Sequence, residues 1–518
     1  MYSVFEPFAR FSRLRKIELL LYLAVWTSAV AYAAYNFFLF CQNYRNYLQH
    51  ASHLYRSWLY QTSVQDRGDF EWGYWKSSNY LCVPLLILRT LLYRFCAVPS
   101  HLLLLFDLTA CTITIGLHGT LFQIGLSGLF FFVALANQPF LVWILAIAIC
   151  FLRYVYPGHD VLSSMDIYDH YRVECSTCYL VVRCISFAYD YSSNIERMEG
   201  QPLRKTLFQF LRYAFFLPLM WVGPIVPFYE FSEKAENPKR IPRNEFLLFV
   251  HRIVTSAILF ELMSHFLYPF SVRYLIGRLH GTMSRWALAG ICYALGQFFQ
   301  LKYMALFGLF SFFSKLNGVD SVQFPICVTW THRYSLMWKY FDHGLYVFLR
   351  QYIYLPFAKR RLGKLVSSLG CYMFVLFWHG VTLHMFCWVG LNWIALYLET
   401  TLYEKVNHFR LRALLNAPIF AISVVSNMFF LGESYDFGYE VLTRLLVFNH
   451  PLSIAGILFA LYCCSAIGDV FEVMKYRRKT FAAEVPDHTA IEDEQGAGDT
   501  AVNEKKPKRR TDEMPAKS

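Results

Sequence analysis

The sequence predicts an all-α protein that crosses a membrane many times, and three observations predict it. Of its 518 residues, 56% are hydrophobic and only 16% are charged, where a soluble chain carries about 25% charged residues. Mean hydropathy is +0.33. Between Asp107 and Arg153 there is no Asp, Glu, Lys or Arg. So long an uncharged stretch reads as spanning helix, because a helix satisfies its own backbone groups in hydrocarbon and needs about 20 residues to cross it. Many of the fourteen cysteines lie in apolar runs, among them Cys111, Cys150, Cys371 and Cys463, and behave as small hydrophobes. The Cys175–Cys178 pair lacks a second pair at zinc-site spacing. The net charge of +12 fits positive cytoplasmic loops rather than nucleic-acid binding.

Taken in order, Ile17–Phe40 is an apolar span behind Arg10, Arg13, Arg15 and Lys16, which places the N-terminus in the cytoplasm. Residues 42–79 are polar and aromatic and read as a loop. Residues 80–98 are apolar but hold Pro84, Arg89 and Arg94, the pattern of a re-entrant or interfacial segment rather than a clean span. The uncharged stretch divides into two spans near Asn137-Gln138-Pro139. Residues 157–177 read as a second polar loop, followed by a short apolar piece, 178–188, that contains Arg183. In 206–229 the Gly223-Pro224 pair breaks a helix. Further spans are expected at 246–270, 283–312, 366–399 (hinged near Gly380), 412–432 and 449–468, about ten in all. Lys475, Arg477, Arg478 and Lys479 place the C-terminus in the cytoplasm as well. The organisation expected is a transmembrane domain over 1–475 and a disordered, charged tail over 476–518, which contains Lys505-Lys506-Pro507-Lys508-Arg509-Arg510.

An ionisable side chain inside a span marks function, because hydrocarbon penalises it. His379 sits well inside such a segment, followed by Gly380, which permits a bend. The cations Lys359, Arg360, Arg361 and Lys364 lie upstream and mark the cytoplasmic surface. Fifteen residues separate Lys364 from His379, about 22 Å of helix, so the imidazole lies past the midplane and needs a polar cavity or passage. In 330–357, Trp338, Asp342 and Tyr346 recur every four residues, on one face if the segment is a single helix. Arg333, Lys339 and Arg350 are candidate ion-pair partners for Asp342.

These residues carry a resemblance. Gly223–Phe228 (GPIVPF), 325–345 (PICVTWTHRYSLMWKYFDHGL) and 377–380 (FWHG) resemble the membrane-bound O-acyltransferase (MBOAT) family, and within it the branch of Hedgehog acyltransferases. The likeness continues through 387–399 and 426–432. It implies an all-α bundle around a central tunnel, with His379 and Asp342 as the catalytic pair and Trp338 as the gate between the acyl donor and the central cavity. It implies haem b on Cys327, which on the residues alone reads as a buried thiol. Lys339 and Arg350, with the 359–364 cations, are available to the donor's phosphates. The implied reaction transfers palmitate from palmitoyl-CoA to the N-terminal cysteine α-amine of Hedgehog-like secreted proteins. The implied setting is the endoplasmic reticulum or Golgi membrane, with membrane lipid around the chain and no nucleic-acid partner. The rivals are O-acylation of a lysolipid or a secreted serine on the same fold, and a non-catalytic binding protein or transporter. No inverted repeat supports a transporter.

Overall fold

The computed structural model describes residues 13–482 apart from 52, 60–62, 156–166, 194–200, 240, 280, 322–323, 360–362 and 404. The expected charged tail from 483 onward and the cations Arg10, Arg360 and Arg361 lie outside the described residues. The order is α1 (Arg13–Asn43), α2 (Arg45–Ala51), β1 (Leu54–Arg56), β2 (Val64–Asp66), α3 (Phe70–Arg94), α4 (Ser100–Leu135), α5 (Pro139–Val155), α6 (Ile167–Ser193), α7 (Leu203–Ala214), α8 (Phe228–Glu236), α9 (Arg243–Met263), α10 (Pro269–Tyr274) and α11 (Arg285–Leu316). Then come α12 (Tyr334–Tyr340), α13 (His343–Leu349), α14 (Leu355–Lys359), α15 (Gly363–His379), α16 (Leu383–Leu398), α17 (Phe409–Leu431), α18 (Tyr435–Leu442) and α19 (Pro451–Ala482).

The protein is a multi-pass helical membrane protein. Among the described residues, five segments are long and apolar enough to cross: Arg15–Asn43, Ser100–Leu135, Arg243–Met263, Phe409–Leu431 and Pro451–Glu472. α1 lies along α11, α4 along α6, and α16 along α17. The first crossing is close because α11 presents Gly290: a Cβ there would stand 2.2 Å from the Ala33 carbonyl oxygen. Small residues permit such backbone approach between membrane helices.

Several local expectations change. The loop expected over 42–79 contains α2 and an antiparallel hairpin, Leu54 opposite Asp66, and ends where Asp69 caps α3 by accepting the Trp72 N–H. The segment read as re-entrant or interfacial is the second half of the 25-residue α3, a continuous helix with Pro84 inside it, and α3 is not among the segments long and apolar enough to cross. Its Arg89 is not a sign of a surface segment, because it is neutralised inside. The loop expected over 157–177 is already helix from Ile167, and the short apolar piece is the middle of α6. The break at 137–139 stands where expected, with Asn137 at φ 55°. The Gly223-Pro224 break stands too, inside a buried non-helical stretch. α4 has a further kink at Gly116, at φ 74° and ψ 166°. α19 carries helix past residue 476, to Ala482.

Candidate active site

The 366–399 segment folds as two helices. α15 ends on His379, Gly380 takes φ 102°, a value open to glycine and costly for other residues, and α16 begins at Leu383. The turn leaves the imidazole exposed at the end of its helix. Three rings stand edge-on around it: Trp378 at 5.1 Å, Trp388 at 5.6 Å and Phe430 at 5.6 Å between centroids. Trp388 stacks on Phe430 at 4.5 Å and is held by its indole N–H, which donates to Asn427 Oδ1 at 3.2 Å. Aromatic walls of this kind offer apolar surface with little freedom to collapse.

The same rings reach the second motif. Trp388 also stacks on Trp338 of α12, at 5.9 Å. Phe430 meets Phe299 at 5.7 Å, and Phe299 stacks on Phe341 at 5.1 Å, the residue before Asp342. His379 and the Trp338–Asp342 segment therefore share one aromatic wall although 37 residues separate His379 from Asp342. The single helix expected over 330–357 does not form. It breaks at Asp342, which caps α13 by accepting the Leu345 N–H at 3.0 Å. A carboxylate competes well for free N–H groups at a helix start, so Asp is a strong breaker there. Trp338, Asp342 and Tyr346 consequently do not share one continuous helical face. Beyond α13, residues 350–354 form a π turn.

Two supports hold this segment. Gly344 packs on the 223–228 loop, where an added Cβ would stand 2.4 Å from the Ile225 oxygen. Glu399, fully buried, accepts from Arg333 Nε at 3.0 Å, Tyr334 N at 2.8 Å and Ser335 N at 3.1 Å, and from the Ser335 hydroxyl. It ties the start of α12 to the end of α16. Arg333 thus pairs with Glu399, not with Asp342, and Asp342 has no ion pair among the described residues.

Lys339 and Arg350 are half-buried. The Lys339 ammonium sits 5.3 Å from the Tyr340 ring centre, and Lys364 is exposed at the start of α15. Cys327 is exposed, which corrects the buried-thiol reading: it lies in the connection between α11 and α12, just before a short 3-10 turn at Val328–Trp330. Sequence reasoning did not single out Trp388, Phe430 or Glu399. The only local signal was Glu399 as the lone acid in a strongly apolar run.

The MBOAT (membrane-bound O-acyltransferase) family model matches residues 126–441. The chain is 27% identical over 443 residues to mouse protein-cysteine N-palmitoyltransferase HHAT, covering 78% of this chain and 87% of that one. It is 28% identical over 326 residues to Drosophila melanogaster protein-cysteine N-palmitoyltransferase Rasp, covering 58% and 64%. It is 24% identical over 501 residues to the mouse HHAT-like protein, covering 90% and 96%. The family match spans more than half of the chain and contains every helix that builds the aromatic wall around His379, so this protein belongs to the membrane-bound O-acyltransferase family.

Proposed function

We propose that this membrane acyltransferase moves palmitate from palmitoyl-CoA to the N-terminal α-amine of a Hedgehog-like secreted protein, in the endoplasmic reticulum membrane with both chain ends in the cytoplasm. One observation carries the reading: an exposed imidazole at a helix end, walled by the same rings that hold the Trp338–Asp342 segment. The likeness to HHAT and Rasp supports the choice of acceptor.

The donor's phosphates are taken by Lys339, Arg350 and Lys364, and its acyl chain by the aromatic wall, with Trp338 at the gate. An α-amine has an ordinary pKa of about 7.7–8.0, so part of it is neutral near pH 7. Its nitrogen attacks the thioester carbonyl carbon while His379 takes the proton. The C–N bond forms, the C–S bond breaks, and the CoA sulfur leaves, taking up the proton from His379. Asp342 orients the amine or the imidazole. Holding both reactants in line inside the bundle supplies much of the remaining rate. Cys327, whose sulfur is accessible, is the residue that would ligate haem b.

The test offers the purified protein palmitoyl-CoA with an N-terminal-cysteine peptide, the same peptide acetylated at its amine, or a lysolipid. Mass spectrometry should find one palmitoyl group on the free-amine peptide alone. Transfer to the lysolipid instead would replace this reading with lipid O-acylation.

A further inference from the structure

The two sides of α7 are built for different surroundings. One side is spent on the bundle: Thr206, Phe210, Tyr213 and Ala214 are buried. Phe210 stacks on Phe187 of α6 at 4.2 Å and on Phe131 of α4 at 5.9 Å, and the Tyr213 hydroxyl donates to the Val226 carbonyl oxygen at 2.7 Å. The other side is open. Leu203 and Leu207, one turn apart, are 53% and 36% exposed, and Arg204 and Lys205 between them are exposed as well. Neither cation makes a hydrogen bond or ion pair among the described residues. α7 carries three cations and no acid.

The place of α7 in the fold is the edge of the membrane. It packs beside α8, and the chain leaves α8 at Glu236 to begin the crossing helix α9 at Arg243. The ends of two more helices meet that start. Lys315 of α11 pairs with Glu245 in the first turn of α9. A Cβ on Gly318, just past α11, would stand 3.0 Å from Pro238 Cβ and 2.6 Å from the hydroxyl of Tyr93, in the last turn of α3. Lys239 and Arg243 are exposed here and, like the α7 pair, make no ion pair among the described residues. Water would solvate these cations but gain nothing from the leucines, and hydrocarbon would do the reverse. Only the boundary suits both, with leucines among the acyl chains and cations at the headgroups. Positive charge left unpaired there selects negatively charged headgroups. We infer that the open face of α7, together with Lys239 and Arg243, docks on the headgroups of anionic phospholipids in the surrounding bilayer.

The experiment places the full-length protein in nanodiscs of phosphatidylcholine, alone or mixed with phosphatidylserine, and follows amide hydrogen exchange by mass spectrometry. Exchange over the first turns of α7 should be slower in the mixed discs, by about fivefold for each cation engaged. Inorganic phosphate added to the phosphatidylcholine discs should slow nothing, because free phosphate offers the leucines no apolar layer. The double change Arg204→Gln, Lys205→Gln, on exposed side chains, should fold and exchange at nearly one rate in both discs. Equal exchange of the wild type in the two discs overturns the proposal. So does slowing by free phosphate as large as that by phosphatidylserine, or a double variant that responds to phosphatidylserine as the wild type does. The wild-type comparison decides the matter even if the double variant does not fold.

Discussion

Two polar regions inside this bundle are built on opposite plans. At the α3–α4 contact, Arg89 donates from Nε and Nη2 to both Asp107 oxygens at 2.6 and 2.9 Å, and from Nη1 to Asn317 Oδ1 at 2.7 Å. Asn317 in turn donates to the Thr90 hydroxyl at 2.8 Å. This fork is buried and closed. At the α15–α16 turn, His379 is exposed, and half-buried Asp342 has a single backbone bond and no ion pair among the described residues. A polar group serving architecture is surrounded until its hydrogen-bonding capacity is used. At the proposed site Asp342 leaves hydrogen-bonding capacity for a substrate, and apolar rings line the space around His379.

The comparison can be broken at either end. The largest effect is expected at the open site: His379→Ala should lower the transfer rate about 10²–10⁴-fold with an unchanged melting temperature, since the ring is exposed. Normal transfer of palmitate to peptide by this variant would remove His379 from the chemistry. The closed fork should answer the opposite way. Asp107→Ala leaves Arg89 buried and unpaired, at a cost of about 3–5 kcal/mol, seen as a large drop in melting temperature. The double change Arg89→Met, Asp107→Leu should recover most of that loss, and a double variant as unstable as the single one would contradict the account of the pair.

Asp342 separates its two roles. Asp342→Asn keeps a good helix cap and should fold normally while transferring poorly. Asp342→Ala should lose a further ~1 kcal/mol of stability from the lost cap. Equal rates for the wild type and Asp342→Asn in a steady-state assay would leave the residue with capping alone. The smallest effect belongs to the hinge. A Cβ at Gly380 meets no atom within 4 Å, so Gly380→Ala suffers only from its backbone angle, about 1–2 kcal/mol. Relieving that strain reorients His379, and turnover should fall several-fold while melting shifts little.

Much of this was legible along the chain. The breaks at 137–139, Gly223-Pro224 and Gly380 were each written in residues that cannot continue a helix or that readily adopt unusual angles. His379 was legible because an imidazole in an apolar segment is conspicuous. What the local pattern left out has one cause. Pro84, Arg89 and Arg94 kept 80–98 from reading as a clean span, but the partner that hides Arg89 is Asp107, on the next helix. Four-residue spacing made 330–357 look like one helix, yet Asp342 starts a new one, and Ile225 and Glu399 fix its direction from distant parts of the sequence. The site's walls, Trp388 and Phe430, were hidden among 49 Phe and 12 Trp.

Composition and local pattern alone determined that this protein is helical, lies in a membrane and carries a histidine there, because the solvation of backbone and side chains in hydrocarbon depends on what each segment is made of. Only the tertiary structure decided which charges are closed off and which stay open. That outcome depends on which groups meet across tens to hundreds of residues: Arg89 with Asn317, Arg333 with Glu399, and His379 with Trp338 through the rings between them.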